Sequence, residues 1–224
     1  MLVALFSAQP WSNDHRRSVR RTLVSFFDWS VEHGRADHNP AAALPRVPAG
    51  KPCPRPCPDQ MWRDLIAAAT PRERMMIRLA GEVGMRRAEV ARCHRDDLIN
   101  DGGGWSLIVH GKGGRQRLVP ITDRLAGQIQ EYAATGFLFP GNENGHLSAH
   151  YVGKLIGALM PRGWSMHKLR HRYATRGLAG TGDLLAVRDA LGHVSVATTQ
   201  IYTAVAPGKV RRVSEAAADS DAEL

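Results

Sequence analysis

The sequence predicts a mainly α chain with one small antiparallel β-sheet, an α+β protein built in two parts. Apolar residues recur at three- and four-residue spacing through most of the chain, behind Ser, Thr or Asp caps, as amphipathic helices require. Two β-rich runs, Trp105–His110 and Arg115–Ile121, flank Gly111-Lys112-Gly113-Gly114, the pattern of a hairpin. Seven of the thirteen prolines fall between Pro40 and Pro58. Proline removes backbone donors and holds the chain extended, so residues 40–58 are expected to form a stiff linker between the parts.

Before the linker, Ser12 or Asn13 can cap a helix running to about Glu32, with Gly34 ending it. Val19, Leu23, Phe26, Phe27 and Val31 fall near one face of that helix, and Arg16, Arg17, Arg20 and Arg21 near the other. One helix with a frayed start buries little alone, so residues 1–39 belong to a partial domain. After the linker, Asp59 can cap a helix over Gln60–Ala69, and Thr70-Pro71 starts another that runs to about Val83. A short helix over Arg87–Arg92 precedes the hairpin, and Thr122 or Asp123 caps a helix to about Ala134. Four more helices are expected at Ser148–Met160, Met166–Ala179, Asp183–Leu191 and Val194–Ala204. Ser214–Leu224 is acidic and is expected to fray.

Composition narrows the function. The 224 residues are 43% hydrophobic and 23% charged, which excludes a wholly disordered chain. Thirty Lys and Arg against 21 Asp and Glu leave a net charge of +9, which favours a polyanionic partner. No apolar run approaches the roughly 18 residues of a membrane span, and the opening Met-Leu-Val-Ala-Leu-Phe has no basic flank for a secretory signal. Cys53, Cys57 and Cys93 do not make a disulfide framework, so a reducing cytoplasm is expected. Cys53 and Cys57 would supply only two zinc ligands, and no metal or other cofactor is expected.

Four segments carry candidate chemistry, and each alone has a plainer reading. Gly84-Met85-Arg86-Arg87-Ala88-Glu89 sets an arginine after a glycine at a helix start, in an arginine-rich stretch. His110-Gly111-Lys112-Gly113-Gly114-Arg115 sets a lysine on a glycine-rich turn, without the spacing of a phosphate-binding P-loop. His167-Lys168-Leu169-Arg170-His171-Arg172 puts His167 and Arg170 on one helical face. Five Lys or Arg and no acid lie between Arg162 and Arg176, a density that an anion would neutralise. Leu191-Gly192-His193 is followed nine residues later by Tyr202, and a lone tyrosine is ordinarily a packing residue.

In this order and spacing the four segments resemble the tyrosine recombinase (phage integrase) family over about residues 59–205. The match rests on Gly-Met-Arg-Arg-Ala-Glu-Val, Gly-Lys-Gly-Gly-Arg-Gln-Arg-Leu-Val-Pro, His-Lys-Leu-Arg-His-Arg-Tyr-Ala-Thr and Leu-Gly-His…Thr-Thr-Gln-Ile-Tyr. The resemblance implies a catalytic domain at 59–205 and a C-terminal tail at 206–224. It implies a partial helical core-binding domain at 1–39, shorter than the family's four-helix unit, leaving through Asn39-Pro40. It also implies a site-specific recombinase that cleaves and rejoins DNA through a 3′-phosphotyrosyl link, without ATP or metal, to integrate or excise mobile or phage DNA.

The chemistry asks for these residue types. A phosphodiester repels nucleophiles, and its transition state gains charge, so fixed cationic donors around the non-bridging oxygens are the largest lever available. Arg86 and Arg170 can offer bidentate contacts at any working pH. His167 and His193 can donate or move protons near neutrality. Tyr202 is the nucleophile that the family implies, with His167 as its proton acceptor and Lys112 as the acid that protonates the leaving 5′-oxygen. Glu89 fits the orientation of Arg86 or its helix better than a base. Arg87 stands where the family carries an apolar residue, and the Gly-Met-Arg spacing favours Arg86 over it as the phosphate contact. DNA-contact candidates are Arg87, Arg115, Arg117, Lys168 and Arg172, with Arg16 and Arg20 in the first part.

The expected partners are double-stranded DNA at specific core sites and further copies of the chain, as a tetramer on two duplexes. Ala206–Val213 would dock on the neighbouring copy, and a membrane is not expected. The expected location is the cytoplasm of a bacterial host, on DNA. Three alternatives stay open: relaxation of supercoils in the manner of a type IB topoisomerase, resolution of chromosomes or plasmids in the Xer manner, and a basic DNA-binding module without activity.

Overall fold

The chain forms two units, residues 1–53 and 54–224. A computed structural model describes residues 2–48, 56–100, 102–192 and 207–218 of them.

In the first unit, helix α1 (Leu2–Ala8) precedes helix α2 (Asn13–Glu32). Ser12 caps α2 by accepting from the His15 amide at 3.3 Å, and Gly34 leaves it in the left-handed region at φ 63°. Phe6, Ala41 and Leu44 are buried together, with Val19, Leu23 and Phe27 packed against them. The expected frayed start is therefore a helix. Residues 40–47 are not an extended linker but part of this core. Asn39 accounts for the difference: its side chain accepts from the Ala41 amide at 2.8 Å and donates to the Val24 carbonyl at 3.1 Å. Phe26, expected on the apolar face, is 54% exposed.

The second unit opens with helices α3 (Asp59–Ala68), α4 (Pro71–Glu82) and α5 (Arg87–Ala91). Thr70 and Glu73 form a reciprocal capping box at α4, with Pro71 at the first helical position. Asp59 does not cap α3 as expected: Pro58 holds the cap position, and the Asp59 carboxylate turns to Arg172 and Arg176. Strands β1 (Leu98–Asn100), β2 (Trp105–His110) and β3 (Gln116–Pro120) make an antiparallel sheet in sequence order. Leu107 pairs with Leu98 on one side and Val119 on the other, and Leu107, Val109 and Val119 point into the core. β1 was not predicted, because three residues are too few to show a period.

Helix α6 (Asp123–Tyr132) starts at Thr122, which accepts from the Leu125 amide at 3.2 Å. A short strand β4 (Pro140–Glu143) leads to α7 (Ala149–Leu159), α8 (His167–Thr181) and α9 (Leu184–Leu191). The last helix is α10 (Pro207–Ala218). The main core runs from Cys57 to Leu169 through Met76, Ile77, Leu107, Ile129 and Ile156. A second core joins Tyr173, Val187, Leu191, Val213 and Ala217 from α8, α9 and α10.

The fraying expected from Ser214 onward is not found through Ala218. α10 lies on α8, where Gly177 and Gly180 leave room for it: an added Cβ would stand 2.6 Å from Val213 Cγ1 and 2.5 Å from Ala216 Cβ. Two interior glycines cost helix propensity, and this close packing offsets it. Ala206–Val213 was expected to meet a neighbouring copy, yet its described part belongs to a helix on the chain's own α8. The helix expected over Val194–Ala204 lies outside the described residues. No helix among the described residues is long and apolar enough to cross a membrane.

Candidate active site

The site begins at Gly84, which turns the chain between α4 and α5 at φ 71°. A Cβ there would meet Tyr173 Cδ1 at 2.6 Å and Leu191 Cδ2 at 2.9 Å, so glycine alone fits this close approach. Two residues on, Arg86 stands at the N-terminal end of α5. Its amide and its Nη1 both donate to the Glu89 carboxylate, at 2.8 and 2.7 Å. The Arg86 side chain keeps 44% exposure while the Glu89 side chain keeps 2%. One end of the ion pair is thus anchored and the other is presented to solvent.

Three guanidinium groups converge on Glu89. Arg117, from β3, donates Nη1 to Oε1 at 3.0 Å and Nη2 to Oε2 at 2.9 Å. Arg170 Nη1, from α8, lies 3.8 Å from Oε2. Burial pushes the Glu89 carboxyl up, but the hydrogen bonds and charge of Arg117, with those of Arg86, outweigh it and hold the group below the usual carboxylate range. A buried anion so held serves as a fixed post for cations, which agrees with an orienting role and not with a base.

Arg170 is buried at 2% exposure. Its Nη1 donates to the Gly84 carbonyl, and its Nη2 donates to the Leu191 carbonyl at 2.7 Å. Burial, and then the nearby Arg86 charge, lower its pKa to about 10, so it is still a cation at neutral pH. His167 lies near the start of α8, lining a cavity of about 350 Å³ with Met85, Arg86, Arg87, Ser165 and Met166. Its ring meets that of His171 edge-on at 4.4 Å. Burial and the cations nearby lower the pKa of both imidazoles, so both are neutral at pH 7. A neutral imidazole can accept a proton.

Arg86, Arg170 and His167 are therefore brought together as the sequence expects. Lys112 has its backbone in the turn Lys112–Gly114 between β2 and β3, where Gly113 and Gly114 take φ 72° and 73°. His193 and Tyr202 lie outside the described residues. Arg87 is exposed and runs past Gly153 of α7, whose added Cβ would lie 3.5 Å from Arg87 Cδ. Arg115 is exposed on the hairpin, and Lys168 is half-buried with its carbonyl accepting from the Cys57 amide at 3.1 Å.

Three of the expected DNA contacts are corrected. Arg172 is 1% exposed, stacks over Trp62 at 4.4 Å, and donates to the Ala217 carbonyl at 3.0 Å and to Asp59 at 3.2 Å. It holds α3, α8 and α10 together and presents no charge to a ligand. Arg117 is spent on Glu89 and on the Ala190 carbonyl, which it reaches from Nε at 3.0 Å. Arg16 donates to the carbonyls of Phe6, Ser7, Gln9 and Trp11, closing the α1–α2 turn. Arg20 donates Nε to the Leu44 carbonyl at 3.1 Å and still lines a basic hollow with Arg17, Arg21 and Arg46. Neither helical spacing nor the hairpin pattern gives a sign of the carbonyls and acids that receive these side chains.

Among the described residues, Tyr173 packs against Gly84 and is fully buried, and burial pushes its pKa up to about 12. Its hydroxyl lies 3.5 Å from Ser214 Oγ, and it serves packing.

The chain is similar to known proteins over most of its length. Tyrosine recombinase XerC of Xanthomonas campestris pv. campestris is 34% identical over 218 aligned residues, covering 85% of this chain and 66% of the relative. XerC of Xylella fastidiosa is 33% identical, covering 86% of this chain and 73% of the relative. The chain thus spans about two thirds of the length of such relatives. The integrase from mycobacterium phage Brujita superposes with a TM-score of 0.65 at 28% identity, covering 96% of this chain and 76% of that one. XerH recombinase, solved as a post-cleavage complex with palindromic difH substrate, shares the fold with a TM-score of 0.68 at 20% identity, covering 87% of this chain and 65% of that one. The sequence model of the phage integrase family matches residues 59–209, more than half of the sequence, and the chain belongs to that family.

Proposed function

We propose that the chain is a site-specific DNA recombinase that cleaves and rejoins double-stranded DNA through a 3′-phosphotyrosyl intermediate. The observation that carries the reading is the gathering of Arg86 and Arg170 around Glu89, with neutral His167 lining a cavity beside Arg86. Arg86 would hold a non-bridging oxygen from its exposed side. Arg170, buried and bonded to the Gly84 and Leu191 carbonyls, would add its charge and its remaining N–H groups from behind as charge builds in the transition state. The Tyr202 oxygen attacks phosphorus as the bond from phosphorus to the 5′-oxygen breaks. His167 accepts the phenolic proton, Lys112 supplies one to the leaving oxygen, and His193 assists from the segment after α9. The phosphotyrosyl bond keeps the energy of the phosphodiester, and a 5′-hydroxyl from another strand reverses the step.

In this reading residues 59–205 are the catalytic domain and 1–39 a partial core-binding domain. Arg20, Arg87, Arg115 and Lys168 are the basic contacts that remain, and a tetramer on two duplexes performs exchange. The work is done on DNA in the cytoplasm of a bacterial host. Integration or excision of mobile or phage DNA is supported by the likeness to the Brujita integrase, and Xer-type resolution by the likeness to XerC.

The test begins with covalent capture on a library of nicked random-sequence duplexes, which yields the target. Two marked duplexes carrying that target should then exchange strands. Relaxation of supercoiled DNA without exchange would favour the topoisomerase reading, and DNA binding without any adduct would favour a module without activity.

A further inference from the structure

Arg117 is spent on protein groups, and their arrangement is specific. It lies on β3, the strand that leaves the Lys112 turn. Both terminal nitrogens grip Glu89, at 3.0 and 2.9 Å, and Nε donates to the Ala190 carbonyl at 3.0 Å. One side chain thus joins the hairpin, the Arg86-bearing turn and the C-terminal end of α9. The next glycine along α9 records the same contact: Gly192 has φ 60°, and a Cβ on it would stand 2.8 Å from Arg117 Cδ. The glycine of Leu191-Gly192-His193 therefore serves the close passage of Arg117 as well as the end of the helix.

The other strand of the hairpin is pinned independently. Arg92 Nη2 donates to the His110 carbonyl at 2.9 Å, and His110 Nε2 meets Asp97 Oδ1 at 2.6 Å. Across the neck, the Gly111 amide donates to the Arg115 carbonyl at 2.7 Å. The root of the turn is rigid on β2 through Arg92 and Asp97, and on β3 through Arg117. The Arg117 fork runs to Glu89 itself, whereas Arg92 reaches the Arg86-bearing helix through the Ala88 carbonyl, at 3.1 Å from its Nε.

We propose that Arg117 is a positioning residue: it fixes the Lys112 turn relative to the Glu89 cluster and the end of α9, so that the leaving oxygen receives its proton in register with phosphate binding. The inference rests on the recombinase reading. Lysine cannot replace Arg117, because a single ammonium cannot grip both carboxylate oxygens and reach Ala190 together. Losing the fork frees the β3 side of the hairpin, while Arg86 keeps its own two bonds to Glu89. Proton delivery should then suffer more than phosphate binding.

The experiment compares two nicked duplexes carrying the captured target, one with the natural 5′-bridging oxygen and one with sulfur there. A departing thiolate needs no proton, so the sulfur duplex bypasses Lys112. Full-length wild type, Arg117→Gln, Arg117→Lys and Arg86→Lys are compared by their rates of covalent adduct formation. Both Arg117 variants should cleave the oxygen duplex about a hundredfold more slowly, the usual contribution of a positioned acid. Their sulfur-to-oxygen rate ratio should rise at least about tenfold above that of wild type. Arg86→Lys should slow both substrates and leave the ratio near the wild-type value. The ratio is taken within one preparation, so loss of folded protein cancels. An unchanged ratio in the Arg117 variants, at any absolute rate, overturns the proposal. No adduct from wild type on either duplex would overturn the recombinase reading, and the role of Arg117 with it.

Discussion

Arg170 Nη2 donates to the carbonyl of Leu191 at 2.7 Å, so an arginine proposed for the phosphate also holds the end of α9. The chain leaves that carbonyl through Gly192 toward His193 and Tyr202. In the proposed mechanism one guanidinium thus serves both the phosphate and the carbonyl that ends α9. Arg170→Lys keeps the charge but cannot serve Gly84 and Leu191 together. It should slow covalent adduct formation by at least about a hundredfold, the cost of removing one preorganised transition-state donor. Single-turnover cleavage of the captured target measures this, and a loss below about tenfold would separate Arg170 from the chemistry.

Arg172 and Arg115 should part company under mutation. Arg172→Ala removes the stack on Trp62 and the bonds to Ala217 and Asp59. It should cost about 1–3 kcal/mol of stability, as leaving the buried Ala217 carbonyl without its donor does. Arg115 is exposed. Arg115→Ala should leave melting unchanged and reduce the slope of log affinity against log salt by about one. Thermal melts and binding titrations at several salt concentrations check both, and a reduced slope for an Arg172→Ala protein that still melts normally would reverse the assignment.

The pH dependence follows from His167. Its pKa is lowered from 6.5 by burial and by the cations around it, so the neutral form persists below pH 6.5. An acceptor works only when neutral, so adduct formation should be level through neutrality and fall on an acid limb whose midpoint lies below 6.5. Stability follows the same sign. Protons bind the unfolded imidazole more tightly, so the contribution of His167 is present above pH 6.5 and is lost as pH falls through its folded pKa. A pH–rate profile of single-turnover cleavage tests the assignment, and a limb that His167→Gln leaves in place would assign it to another group.

Gly84→Ala should be severe for a small change. The position has φ 71°, and its new methyl would press on Tyr173 and Leu191. The left-handed backbone costs about 1–2 kcal/mol, and overpacking adds about 1–3 kcal/mol. Chemical denaturation should show the loss, and unchanged stability would mean that the Gly84 turn relaxes freely.

Much of the fold was legible where local chemistry decided it. Thr70, Pro71 and Glu73 wrote the start of α4, and Gly111 to Gly114 wrote the hairpin, because caps and turns depend on a few adjacent residues. Asp59, Arg172 and Arg117 were misread for the opposite reason. Each occupies a plausible local role, as cap or as surface charge, and is claimed by partners tens of residues away. The acidic run from Ser214 reads locally as a frayed tail, whereas the glycines that receive its first residues, Ser214 to Ala218, lie on α8. The site residues Arg86, His167 and Arg170 were legible through motif spacing. Glu89 is legible as an orienting group for Arg86, but its hold on Arg117 and Arg170 joins residues too distant in the chain for spacing to show.

The proposed covalent link through Tyr202 is checked by trapping on a nicked duplex. The 224-residue chain should form an adduct resistant to denaturation on the captured target, attached to a 3′-phosphate and leaving a free 5′-hydroxyl. Tyr202→Phe should bind the same duplex with unchanged affinity and form no adduct. An adduct that survives Tyr202→Phe, or one joined to a 5′-phosphate, would rule out a 3′-phosphotyrosyl link through Tyr202.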